Sequence, residues 1–186
     1  MNDFHDNMFT VPFLHVEVRN WNIKKKQLKD LYYSTLVVHS IDKGEYVNTN
    51  YHTLDLKSQN YKLYLNNIQS ILDEEIKYFK DYFNIQTHTM KSAWFEQALQ
   101  YQFHEVHNHG TTGYSSVCFI DYDTSVHTPT KFLSPFDHFL TGEHMLYTPD
   151  VTEGSLIFFP SAVKHFTNPN TSNQERIILS FNLDLN

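Results

Sequence analysis

The sequence predicts a β-rich α+β fold, a sheet sandwich or barrel buttressed by helices that come first in the chain. Three observations carry that expectation. Short strand-like runs crowd the second half, separated by turn residues at a spacing that suits a sandwich or barrel. One long amphipathic stretch, 58–83, precedes them. Aromatic residues make up 16% of the chain, with 15 Phe and 12 Tyr, which suits a β-rich interior or a lined cavity.

The elements follow in order. MFTVPFLHVEV (8–18) is apolar and β-branched enough for a strand, with Pro12 near its edge. A short helix is expected from Lys24 to about Tyr33, and a polar loop over about 40–57. Over 58–83, Tyr61, Leu65, Ile68, Leu72, Phe79 and Phe83 recur mostly at three- and four-residue steps, predicting one helix packed on a sheet. Ser58 can cap its start and Asn84 can end it. Beyond residue 84 the runs 85–100, 115–122, 131–136, 144–148, 155–160 and 176–185 read as strands. His109-Gly110, Thr141-Gly142, Glu153-Gly154 and Asn168-Pro169-Asn170 read as turns. No linker or repeat divides the 186 residues, so a single domain 1–186 is expected, with 1–84 supporting a sheet core over 85–186.

Composition excludes several roles. A formal charge of −7 argues against general nucleic-acid or anionic-membrane binding, which depend on neutralising phosphate. The basic run Lys24–Lys26 reads as a solvated helix start. No apolar run approaches the ~20 residues of a membrane span. The first residues, MNDFHDNMF, lack the order of a signal peptide. A single cysteine, Cys118, allows no intramolecular disulfide and fits a reducing cytoplasm. Exposed aromatics in the N-terminal half leave room for a homodimer.

The chemistry concentrates in HEVHNHG (104–110). In an extended strand Glu105, His107 and His109 share one face, while His104 and Val106 take the other. His107 and His109 are then close enough for both imidazoles to hold one ion at ~2 Å. By itself an H-x-H is weak evidence in a chain of 12 histidines. A second segment, EGSLIFFPSAVKHF (153–166), delivers His165 after an apolar strand and a turn. Arg176 opens the last strand, RIILSFN, and a guanidinium in an apolar strand requires an anionic partner. A carboxylate held bidentately is the natural one, with a salt bridge to Glu175, Glu153 or an Asp as the structural alternative.

Trp94, His107-Asn108-His109, GYSSVCFIDYD (113–123), Phe159-Pro160-Ser161, His165, Arg176 and Ser180-Phe181-Asn182 stand in a recognisable order. That order resembles the iron(II)- and 2-oxoglutarate-dependent oxygenases, more narrowly the small ones common in marine phage and bacterial genomes. The resemblance covers residues 92–184 well. It implies a double-stranded β-helix, a cupin-like jelly roll, with N-terminal helices buttressing one sheet. It implies Fe(II) on His107, His109 and His165, and 2-oxoglutarate as cosubstrate with its far carboxylate on Arg176, helped by Ser180. Tyr114 and Ser115 touch the cosubstrate by the same analogy. O2 is the oxidant, succinate and CO2 are products, and a peptidyl side chain is the default substrate.

The pattern departs from the superfamily at two places. His109 stands where a carboxylate is usual, leaving Glu105 as an alternative ligand or neighbour. Ile178 stands where Ser is common. Two other readings compete: a cupin-type three-histidine metal enzyme that does not use 2-oxoglutarate, and a non-catalytic jelly roll. Cys118 and Trp94 read as core, His104 as an outer-face residue, and His127 as loop or surface. The prime substrate is not legible.

Overall fold

A computed structural model of the protein describes residues 10–35, 46–51 and 55–185. Of the predicted first strand, residues 8 and 9 lie outside the described part. The strand itself is β1 (Leu14–Glu17). Then come α1 (Trp21–Thr35), the short β2 (Asn48–Thr49), α2 (Gln59–Ile71) and α3 (Asp73–Phe83). Eight strands follow. They are β3 (His88–Ala98), β4 (His104–His107), β5 (Tyr114–Asp121), β6 (Lys131–Asp137), β7 (His144–Tyr147), β8 (Ser155–Pro160), β9 (His165–Thr167) and β10 (Arg176–Leu185).

Two antiparallel sheets result, one ordered β1-β8-β5-β10-β3-β2 and the other β4-β9-β6-β7. From β3 onward the chain alternates between them, with only β6 and β7 consecutive in one sheet. This is the double-stranded β-helix expected from the sequence. The faces sort by side chain. Cys118, Ile120, Leu156, Phe158, Leu179 and Phe181 point out from the larger sheet and meet Leu28, Tyr64, Ile68, Ile76 and Phe79 of the helices. Val117, Phe119, Ile157, Phe159 and Ile178 point inward and meet Phe132 from the smaller sheet.

The expected helix over 58–83 is two helices. Leu72 leaves helical geometry (φ −103°, ψ 18°) and lets Asp73, Glu74 and Glu75 begin a second N-terminus, where acidic side chains oppose the helix dipole favourably. Both predicted caps are present. The Ser58 hydroxyl accepts the Tyr61 N–H at 3.1 Å, and Asn84 takes the left-handed conformation at φ 54°. Phe79 fixes α3 to the sheet by stacking on Phe158, with centroids 4.4 Å apart and planes 12° from parallel. It is fully buried, so Phe79→Ala is expected to cost about 3–5 kcal/mol in urea unfolding, the range of a large-to-small change that leaves a cavity.

The expectation that Lys24–Lys26 is a solvated start needs correction. Lys24 is buried and bonds Glu75 at 2.8 Å, joining α1 to α3. Lys25 meets Asp121 at 2.9 Å and Glu153 at 2.8 Å, and Lys29 meets Asp121 at 2.7 Å. These partners lie 50 to 130 residues away in sequence and are brought together only by the packing of α1 on the sheet. Among the described residues, no helix is long and apolar enough to cross a membrane.

Candidate metal centre

The smaller sheet builds the site through an irregularity. β4 pairs with β9 at His104↔Thr167 and His107↔His165, three residues on one strand against two on the other. Strict alternation would send the His104 and His107 side chains to opposite faces. The bulge returns them to the same face, and their rings stack at 3.9 Å and 17°. His104 therefore points into the barrel and not outward as its spacing suggested. His109 lies beyond the end of β4, where its N–H donates to the Ser161 carbonyl at 3.0 Å. That bond fastens the loop after β4 to the turn after β8, which leads directly to His165.

His107, His109 and His165 each offer a ring nitrogen, all within 4.8 Å of one another. The Nε2 atoms of His109 and His165 face each other at 3.2 Å. Nδ1 of His107 donates to the Glu105 carbonyl at 2.8 Å, and Nδ1 of His165 to that of Val163 at 3.0 Å. Each bond fixes a tautomer that leaves Nε2 with a free lone pair. Burial is the main reason all three resist protonation, and neighbouring imidazoles add to it. His165 is pushed down to about 3 and His109 to about 4, and His107 is lowered as well. Neutral imidazoles converging on one point form a donor set for a divalent transition metal. Glu105 is exposed and outside this set.

Beside the histidines sits a carboxylate that sequence reasoning missed. Glu96 is buried, accepts Trp94 Nε1–H at 2.8 Å, and bonds His104 Nδ1 at 3.1 Å. Burial alone would raise its pKa. The bonds from His104 and Trp94 and the charge of Arg176 more than reverse this and hold it at about 2. Burial likewise lowers His104, and the Glu96 bond overturns that to a net rise. A group lowered from 4.5 to about 2 contributes stability that is complete above pH 4.5 and lost as pH falls toward 2. Urea unfolding of the metal-free protein should thus show roughly 3 kcal/mol of acid-labile stability over that window, absent in Glu96→Gln.

The inner face of the larger sheet supplies the remaining positions. Cross-strand partners share a face, and β10 pairs Ile178 with Glu96, Ser180 with Trp94 and Asn182 with Ser92. Arg176 begins that row. It is 3% exposed, its Nη1 donates to the Thr128 carbonyl at 2.9 Å, and its Nε is buried without a partner. Among the described residues no carboxylate forms an ion pair with it, so the structural salt bridge weighed from the sequence is not made. Burial lowers its pKa, against the pull of Glu96 and Tyr122. An orphaned guanidinium nitrogen inside a barrel fits a carboxylate brought in from outside.

Ser115 faces inward, donating to Asn182 Oδ1 at 2.7 Å and lying 3.0 Å from the Ser161 hydroxyl. Tyr114 is on the other face, packed edge-on against Phe79 at 5.0 Å and beside Phe83 at 5.3 Å. The sheet thus separates Tyr114 from the histidines. Trp94, read as core, lies 5.1 Å from the His109 ring and borders the cavity beside the histidines. His127 is buried, its Nδ1 accepting the Asp123 N–H at 3.0 Å. Gly113 ends the His109 loop at φ 84°, and a Cβ there would collide with the Leu183 carbonyl oxygen. Gly113→Ala should displace the loop and weaken cobalt binding at least tenfold by titration, with the far-UV spectrum retained.

Residues 92–182 match the family described as "Putative 2OG-Fe(II) oxygenase". That segment, which holds all three histidines and Arg176, is similar to the 2OG-Fe(II) oxygenases. Solved structures share the fold of this chain. The non-heme alpha ketoglutarate dependent carbocyclase SnoK from nogalamycin biosynthesis superposes with a TM-score of 0.67 at 10% identity, covering 94% of this chain and 80% of SnoK. HygX from Streptomyces hygroscopicus, solved with nickel and 2-oxoglutarate bound, gives 0.64 at 10% identity, covering 94% and 83%. A prolyl-4-hydroxylase from Pseudomonas putida gives 0.56 at 11% identity, covering 94% and 93%. At these identities the likeness is one of fold. No curated protein matches the chain significantly in sequence.

Proposed function

We propose that this protein hydroxylates a C–H bond of an organic substrate, by analogy with its prolyl hydroxylase neighbours a peptidyl side chain. The convergence of His107, His109 and His165 within 4.8 Å carries the reading. Their neutral nitrogens suit Fe(II), for which imidazole is a common ligand, with His109 at the place of the triad's single carboxylate. Arg176, with its unpartnered Nε, is the counterpart for the far carboxylate of 2-oxoglutarate, and Ser180 lies on the same inner face. When bound, Fe(II) and 2-oxoglutarate supply O2-dependent oxidation, in which the cosubstrate leaves as succinate and CO2.

The chain's own residues perform the binding and orienting. The Glu105 and Val163 carbonyls hold the His107 and His165 rings at fixed angles, so the donor set is formed in advance. Phe159 packs edge-on against His165 at 4.9 Å and Phe132 lies at 5.8 Å, keeping water from that ligand's flank. Glu96 supports the centre with a buried negative charge that three neutral ligands lack, and Trp94 and His104 hold it in place.

The test is anaerobic mixing of purified protein with Fe(II) and 2-oxoglutarate, watching for the visible charge-transfer absorption of their chelate. The band should form, and succinate should appear on admitting O2. Metal binding with no band would favour a three-histidine metal enzyme that does not use 2-oxoglutarate.

A further inference from the structure

We infer that an apolar cleft on the β7 side of the histidines receives an uncharged hydrophobic group of the substrate, and so sets specificity; this rests on the metal-centre reading above. Register places four side chains in one row across the smaller sheet. Tyr147 is opposite Phe132, Phe132 opposite His165, and His165 opposite His107. Such partners share a face, so the row runs from the free edge at β7 to the histidine cluster. Ring centroids along it step by 6.3, 5.8 and 4.3 Å.

The cleft lies over the outer half of this row. Phe13 packs edge-on to Phe132 at 5.8 Å and to Tyr147 at 5.1 Å. Val11, Phe159 and Val163 complete the walls, and no lining side chain is charged. Phe132 and Phe159 therefore face the cleft and also touch His165. The volume is about 220 Å³. An apolar cavity of about 150 Å³ accepts benzene, and whole drug-sized ligands occupy about 300 Å³ or more. The cleft thus takes one aromatic ring or a branched aliphatic chain, the anchoring part of a larger substrate.

The cavity on the other side of the histidines differs in chemistry. It includes Lys91, Glu96, His104 and Asn182, and has a volume of about 520 Å³. Histidines line the larger space, and the apolar cleft meets the cluster through the rings of Phe132 and Phe159. The cleft, with no charged wall, suits the uncharged group. Past the cleft the β6–β7 hairpin exposes two further apolar side chains, Phe139 at 89% and Leu140 at 77%. A larger hydrophobic substrate would meet these residues on its way in.

The probe is benzene, titrated into the full chain carrying ¹³C-labelled Val and Leu methyl groups, with and without Mn(II). The Val11 and Val163 methyl signals should shift saturably, and Mn(II) should enhance the relaxation of bound benzene until a chelator removes it. Val11→Trp, at a partly exposed rim position, should weaken binding at least tenfold. Ser134→Phe from the opposite wall should do the same, so misfolding of one variant does not decide the matter. Methyl shifts without Mn(II)-dependent relaxation would overturn the inference alone, since the metal centre would stand apart from the cleft. An absence of shifts, or unchanged benzene binding in both variants, would also overturn it. Failure of Mn(II) to bind would remove the metal-centre reading and this inference with it.

Discussion

His165→Ala is expected to abolish stoichiometric metal binding while the protein stays folded. The ring is almost wholly buried, its Nε2 faces that of His109 at 3.2 Å, and its Nδ1 is committed to the Val163 carbonyl. Removing it leaves two neutral donors, and Glu105 is exposed and outside the group. Even a lost supporting hydrogen bond costs metal sites about 10–100-fold in affinity, so a lost ligand should exceed 100-fold. Cobalt titration by calorimetry measures this, with circular dichroism to verify folding. His104→Ala is the control. Its ring stacks on His107 but lies outside the converging group, so stoichiometric binding should survive with a smaller loss of affinity. Equal losses in both variants would move the proposed centre toward His104 and Glu96.

Arg176→Met should remove 2-oxoglutarate binding and spare the metal. The guanidinium is buried at the start of β10, with Nη1 on Thr128 and Nε unpartnered. Methionine keeps much of the aliphatic volume, so the fold should hold. Breaking one side of a buried ionic pair costs about 3–5 kcal/mol, which corresponds to roughly 150- to 5,000-fold in affinity. Titrating 2-oxoglutarate into the cobalt-loaded protein under nitrogen reads this directly. Unchanged affinity would refute the anchor and favour the reading without 2-oxoglutarate. Metal affinity in the same variant should move little, because Arg176 contacts none of the three histidines.

The fold class was legible because its signals are local. The three- and four-residue apolar rhythm over 58–83, the Ser58 and Asn84 caps and the turns at Gly142 and Gly154 are each written in a few adjacent residues. The break at Leu72 was not, since its buried side chain keeps the apolar stripe continuous across both helices. The order of H-x-H, the later His165, Arg176 and the SFN ending predicted the family that matches residues 92–182. It also named the three histidines that converge.

Only tertiary structure decided which neighbours those residues acquire. Alternation along β4 misplaced His104, because a bulge depends on pairing with β9, and no feature of HEVHNHG announces it. Glu96 reads as one acid in an aromatic strand. Its role follows from facing Ile178 across the sheet and meeting His104 eight residues on. Lys24–Lys26 read as a solvated run until α1 settled with Lys24 against Glu75 and Lys25 against Asp121 and Glu153. Tyr114 and Ser115 differ by one residue, yet the sheet sends one to α3 and the other into the barrel. Local periodicity sets which side chains share a face only where strand pairing stays regular. Which groups lie opposite that face, and with them charge, burial and chemistry, depends on contacts between strands far apart in the chain.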